Sequence, residues 1–165
     1  MFNDTTLTTV DDFKQSTSIT DSLQDEILQP FISAGEEFSV YPILGTALVD
    51  ELKSQITGNS LTLANTVLLS NIKPVAAYAA WFRYIPFSIS KTAVIGEVEQ
   101  SADHSTASTM EKIEFKRQGI KDMLAFYESK LQKFLENNKD NYPLYRACDT
   151  ISKTSNGSGF YFGKY

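Results

Sequence analysis

The chain has 165 residues, a length that favours one domain, and 42% of them are hydrophobic, which is enough for a real core and too much for general disorder. Fifteen Lys and Arg stand against 20 Asp and Glu, for a formal charge of −5 and a sequence pI of about 4.9, and this argues against a protein that grips nucleic acid through its phosphates. One cysteine, Cys148, excludes an internal disulfide framework and a Cys-based zinc site. The longest apolar run, "VAAYAAWF" at 75–82, falls short of a membrane span, and "MFNDTTLTT" lacks the features of a signal peptide, so a soluble cytoplasmic origin with no membrane contact is expected.

Residues 1–20 are polar and read as an N-terminal extension, with a helical turn capped by Thr9 and favoured by Asp11 and Asp12. From Asp21, which can form a capping box with Gln24, Leu23, Ile27, Phe31, Ala34 and Phe38 recur at steps of three and four and predict one apolar helical face. Pro30 should kink or divide this helix, and Pro42 should end it, because a residue before proline is pushed out of the helical region.

Gly45 and Thr46 open a second helix over about 46–56, with Leu48, Leu52 and Ile56 on one face. After the loop "TGNS" a third helical region runs over about 62–85. Its apolar face is predicted from Leu63, Val67, Ile72, Val75, Ala79 and Phe82, with a kink at Pro74 and an end at Pro86. "AAYAAWF" is apolar nearly all round, which puts this helix at the centre of the core.

"TAVIGEVEQ" is β-branched with partial alternation and reads as a strand or hairpin arm, followed by the polar loop "SADHSTAST". The non-helical stretch, about 88–107, is long for a compact helical domain. A capping box of Ser108 and Glu111 then opens a helix over about 109–137, with Ile113, Ile120, Leu124, Tyr127, Leu131 and either Leu135 or Phe134 on its inner face. "YPLYRACDTI" is semi-apolar. Residues 147–165 form a tail in which a Gly/Ser-rich spacer precedes Phe160, Tyr161, Phe162 and Tyr165.

Little of this is chemistry. Asp103, His104 and Ser105 are triad residue types side by side, but triads assemble in space rather than from consecutive loop residues. The acidic pairs Asp25-Glu26, Glu36-Glu37 and Asp50-Glu51 lack the histidines of a bundle metal site and read as solvated faces. No phosphate-binding glycine loop is present. No catalytic residue, cofactor or metal is expected.

"LQPFISAGEEFSVYPILGTALVDEL" resembles the opening of a family of phage head–tail connector (adaptor) proteins, in which an amphipathic helix leads through a "P-x-L-G-x-x-L-x-x-x-L" turn into a second helix. "AAYAAWFRYIPFSISKTAVIGEVEQSADHSTAS" looks like the second block of that family, and "FYESKLQKFLENN…YPLYR" is similar to its closing helix. The likeness covers about residues 20–146, and it is strongest to the portal-proximal ring proteins of crAss-like and related Bacteroidetes phages.

The resemblance implies a non-enzymatic virion protein at the head–tail junction. Its subunits would form a twelve-fold ring, a dodecamer, between portal and tail or further ring proteins, and DNA would pass through the lumen without specific binding. The sequence expectation is a mainly α fold: a bundle of about four helices over 21–146, with a β-arm at 88–107 and an extended C-terminal tail. Tyr41, Pro42, Gly45, Thr46 and Pro86 are its structural turns. Val94, Ile95, Val98 and the tail aromatics Phe160, Tyr161, Phe162 and Tyr165 are candidate subunit contacts. The alternative is a small helical binding module whose aromatic tail docks on a partner protein.

Overall fold

A computed structural model describes residues 5–17, 23–88, 90–93, 96–99 and 110–145. The described chain is mainly helical, in the order α1 (Val10–Ser16), α2 (Asp25–Gly35), a π-helical turn (Glu36–Val40), α3 (Tyr41–Leu44), α4 (Thr46–Thr57), α5 (Leu63–Tyr84), a 3-10 turn (Ile85–Ser88) and α6 (Met110–Asn137). Between the last two, β1 (Ser90–Ala93) and β2 (Gly96–Glu99) pair antiparallel, Ser90 opposite Glu99 and Ala93 opposite Gly96. Residues 100–107 of the expected arm lie outside the described residues, as do residues 146–165.

Helix α5 is the axis, because its apolar residues point all round and each side must be covered. Its first half packs with α3, α4 and the end of α6, around Leu44, Leu52, Leu68, Ile72, Leu131 and Leu135. Its second half packs with α1, α2 and the start of α6, around Phe13, Leu28, Ile32, Ala80, Trp81 and Ile120. Leu7 and Phe13 are both buried, so the described part of residues 1–20 is built into this core. Helix α1 has a full capping box between Thr9 and Asp12, and Asp12 reaches Lys73 of α5 at 2.7 Å. The inner face of α6 buries Ile120, Leu124, Leu131 and Leu135.

Three sequence expectations need correction. First, the buried stripe of α2 is Leu28, Ile32 and Gly35, while Ile27 and Phe38 are 45% and 68% exposed. The helix is rotated one position from the expected face because Gly35 sets it flush on α5. A Cβ on Gly35 would stand 2.8 Å from the backbone nitrogen of Ala80, closer than a side chain allows. In α5, Leu63 and Val67 likewise point outward, at 84% and 45% exposure, and Leu68 and Leu69 take their place inside.

Second, Pro42 does not end the first helical run. The chain stays helical to Leu44 because the π turn inserts an extra residue, with Tyr41 N–H donating to the Glu36 carbonyl. A π turn relieves the clash that proline makes with the carbonyl four residues back. Gly45 ends the run: its N–H donates to Tyr41 O at 2.9 Å, and its own carbonyl accepts from Val49 at 3.2 Å, the first bond of α4. Its φ of 79° and ψ of 153° lie where glycine alone is comfortable. Pro30 and Pro74 divide neither α2 nor α5, since the carbonyls they leave unpaired belong to Glu26 and Ser70, both exposed.

Third, Glu36 is not on a solvated face; it is completely buried. Asp25, Glu26, Glu37 and Asp50 are exposed as solvated acids, and Glu51 is half-buried. Asp21 and Ser108, each half of an expected capping box, lie outside the described residues; the helix-capping residue of α2 is Gln24, without a side-chain bond.

Candidate functional site

Two places stand out from an ordinary helical core. The first is the anchorage of the N-terminal segment. Glu36 sits at the end of the series Leu28, Ile32, Glu36, so a helix that buries the first two buries the third. Its two carboxylate oxygens accept the N–H groups of Leu7 at 3.0 Å and Thr8 at 2.7 Å. An unpaired buried carboxylate is costly, and these two donors satisfy both oxygens. Burial nevertheless pushes its pKa up to about 7, against the Leu7 and Thr8 N–H groups and the charge of Lys53, which favour the ionised form.

The second is a groove where α2, the end of α5, the 3-10 turn and the start of α6 meet. It has a volume of about 400 Å³. Helix α2 contributes Pro30, Phe31 and Ala34, and α5 contributes Phe82 and Arg83. The turn adds Pro86 and Phe87, and α6 adds Arg117. The walls are aromatic: the Phe31 ring meets Tyr84 at 5.4 Å and Phe87 at 5.2 Å between centroids. Phe87 is 63% exposed, and Phe38 lies nearby under the Arg83 guanidinium, 5.0 Å from its ring centroid.

The two arginines at the groove are stacked more than they are ion-paired. Arg117 lies 4.6 Å over the Phe82 ring, its Nε is buried without a hydrogen-bond partner, and its contact with Glu114 is a loose 4.0 Å. Arg83 donates to the carbonyl of Ala79 at 3.0 Å. Glu128, on α6, has its carboxyl raised by burial, which the Ser39 hydroxyl and the Arg83 charge oppose. A concave aromatic floor with cationic, planar guanidiniums at its edge suits aromatic side chains and extended backbone, since rings stack on guanidinium and carbonyls accept from it.

Of the sequence-predicted turn residues, Tyr41 is half-buried with Lys53 Nζ 5.1 Å from its ring centroid, Pro42 and Thr46 are exposed, and Gly45 forms the corner. Pro86, exposed, lines the groove. Val98 is in β2; Val94, Ile95, Phe160, Tyr161, Phe162 and Tyr165 lie outside the described residues, as do His104 and Cys148. Sequence reasoning missed Glu36, Arg83 and Arg117. Only Glu36 had a signal, its place in the four-residue series with Leu28 and Ile32. Among the described residues no cluster of His, Cys, Asp and Glu is arranged to hold a metal, and no helix is long and apolar enough to cross a membrane.

Residues 40–155 match the model of a family of unknown function, DUF6712, and the chain belongs to that family. The matched stretch takes in the Gly45 corner, α4, α5, the β-pair and α6. No curated protein and no solved structure matches the chain.

Proposed function

We propose that this protein is a non-enzymatic assembly subunit: a phage head–tail connector that forms a ring between portal and tail and lets DNA through its lumen. The observation that carries the reading is the aromatic groove. Phe87 and Phe38 stand more than 60% exposed beside it, at the point where the chain leaves the helical core for the β-pair. Contiguous apolar surface of this kind is normally covered by another protein. A groove with walls of Phe and Pro offers contact area to a partner and no converging acid, base and nucleophile to a substrate.

Two further features support the reading. The β-pair at 90–99, at the root of the arm predicted over 88–107, presents strand edges to which a neighbour's extended segment can add. The charge of −5 suits a conduit, because a lumen that pairs with phosphates would hold the DNA it should pass. In the ring, subunit contacts fall to the arm, with Val94, Ile95 and Val98, and to the aromatic tail.

Native mass spectrometry and sedimentation over a wide concentration range test this, with and without a portal-type partner. The expected result is a closed oligomer of defined copy number that binds the partner. A chain that stays monomeric alone and with partner overturns the ring. A monomer that binds one partner copy through residues 155–165 would instead match the second reading, a helical binding module.

A further inference from the structure

The groove and the aromatic tail are complementary in size, pattern and polarity, and we propose that Phe160 and Phe162 of one copy dock in the groove of a second copy. The inference rests on the oligomeric reading above and assigns its contact. Size comes first. A ring the size of benzene fills a cavity of about 150 Å³, so the groove, at about 400 Å³, has room for two. Pattern comes second. In an extended segment, residues two apart share a face. Phe160 and Phe162 therefore enter together while Tyr161 stays on the opposite side, and Lys164, on the Phe face, lies beyond the two rings. Arg83 and Arg117 then meet the backbone carbonyls and ring faces of the docked segment.

Position sets the kind of contact that a second copy makes: the fifteen residues from Tyr145 to Phe160 span up to about 50 Å, enough to reach a neighbour's groove as well as their own. The last described residues sit at the far end of α5: the Tyr142 hydroxyl donates to the carbonyl of Ala64, whereas the groove is built around Phe82. Eighteen helical residues separate these two points, about 27 Å along the axis at 1.5 Å per residue. A donor segment that leaves one pole and an acceptor at the other make a head-to-tail contact, the class that forms a ring when its rotation closes and a filament when it does not. An isologous dimer has no need of this separation.

The test uses full-length chains. A groove variant, Phe87→Ser, changes an exposed side chain, and a tail variant carries Phe160→Ser with Phe162→Ser; circular dichroism verifies that each keeps its helices. By native mass spectrometry each variant alone is expected to lose the wild-type oligomer. An equimolar mixture is expected to form a 1:1 complex, because the groove of one remains open to the tail of the other. A labelled peptide of residues 155–165 is expected to bind the tail variant saturably, and at least tenfold more weakly when Phe87→Ser is added.

Oligomers that persist in both variants overturn the docking and leave the ring reading standing. Peptide binding that ignores Phe87→Ser overturns the groove as receptor. Saturable peptide binding with a wild-type chain that is monomeric at every concentration shows the tail docking on its own chain, which overturns the second-copy occupant and the ring together.

Discussion

The strongest single perturbation of this fold is expected at Glu36, and its size depends on pH. In Glu36→Ala the N–H groups of Leu7 and Thr8 lose their acceptors in a site sealed from water. Each orphaned donor costs about 1–3 kcal/mol, and the one buried methylene that is lost adds about 0.8 kcal/mol, so a loss of roughly 3–7 kcal/mol follows where the native carboxyl is protonated. That is a large part of the roughly 5–15 kcal/mol that holds a domain together. The protein can limit the loss by releasing residues 5–17, so hydrogen exchange of the α1 amides should rise with it.

The sign with pH runs opposite to that of a surface acid. The folded-state value of about 7 stands above the 4.5 of an unfolded chain, so the folded state holds an extra proton between those pH values. The contribution is fully present below pH 4.5 and is lost as pH rises through 7. A gap of about 2.5 units at 1.36 kcal/mol each amounts to on the order of 3 kcal/mol. Urea unfolding of wild type and Glu36→Ala at pH 5 and pH 8 reads both effects. The wild type should be less stable at pH 8, and the mutational loss should shrink there by a similar amount. A loss under about 1 kcal/mol at pH 5, or an equal loss at both values, refutes the buried-carboxylate account. Glu36→Gln should flatten the pH dependence while keeping one acceptor.

Four other outcomes are expected. Gly35→Ala should destabilise by about 1–3 kcal/mol, because the new Cβ meets Ala76 and Ala80 backbone that cannot yield; at a free helical site the same change would stabilise by about 1 kcal/mol, so the sign of the urea midpoint shift decides. Gly45→Val should cost about 1–2 kcal/mol from backbone strain alone, since a Cβ there meets open space, and an unchanged unfolding midpoint would make the corner ordinary. The chain should show no measurable affinity for duplex DNA near physiological salt, and tight binding with a steep salt slope would contradict the conduit. His104→Ala should leave helical content and oligomeric state unchanged, and a hydrolytic activity that this substitution abolishes would overturn the structural role.

What the sequence made legible was the set of helices whose burial follows a simple rule. Leu48, Leu52 and Ile56 line the inner side of α4, and Ile120, Leu124 and Leu131 that of α6, because in each a single stripe at steps of three and four faces one neighbour. Helix α5 was legible for the opposite reason, since a run apolar all round has to be central. Helix α2 was misread by one position because two stripes compete in it. Leu23, Ile27, Phe31 and Phe38 make the more hydrophobic one, but Leu28, Ile32 and Gly35 make the one that fits. The decision lies with a glycine that adds nothing to a hydrophobic count and permits the closest approach of two helices. Pro42 was misread because proline forbids an α-helical bond, and the chain answers with a π turn, a form that residue preferences barely distinguish from the helix it interrupts.

The groove was illegible for a different physical reason. Phe31, Phe82, Phe87, Arg83 and Arg117 come from elements up to 86 residues apart, and each is ordinary where it stands. In sequence, Phe31 belongs to an apolar face and Arg117 to a solvated one. Only the crossing of α2, α5 and α6 turns the surplus hydrophobicity of α2 outward and lays the Arg117 guanidinium over Phe82. The rejected stripe of α2 is therefore the clue that sequence did hold. A helix with two apolar faces has one more than its own core can use, and the unused face, with Phe31 and Phe38 on it, is the one that opens onto the groove. The tail aromatics pose the matching problem, as large rings gathered on one short segment of the sequence. Surplus apolar surface on a folded face and surplus rings on a separate segment of the same chain remove each other's exposure when they meet. That is why one docking contact accounts for both features, where treating the groove and the tail separately needs an explanation for each.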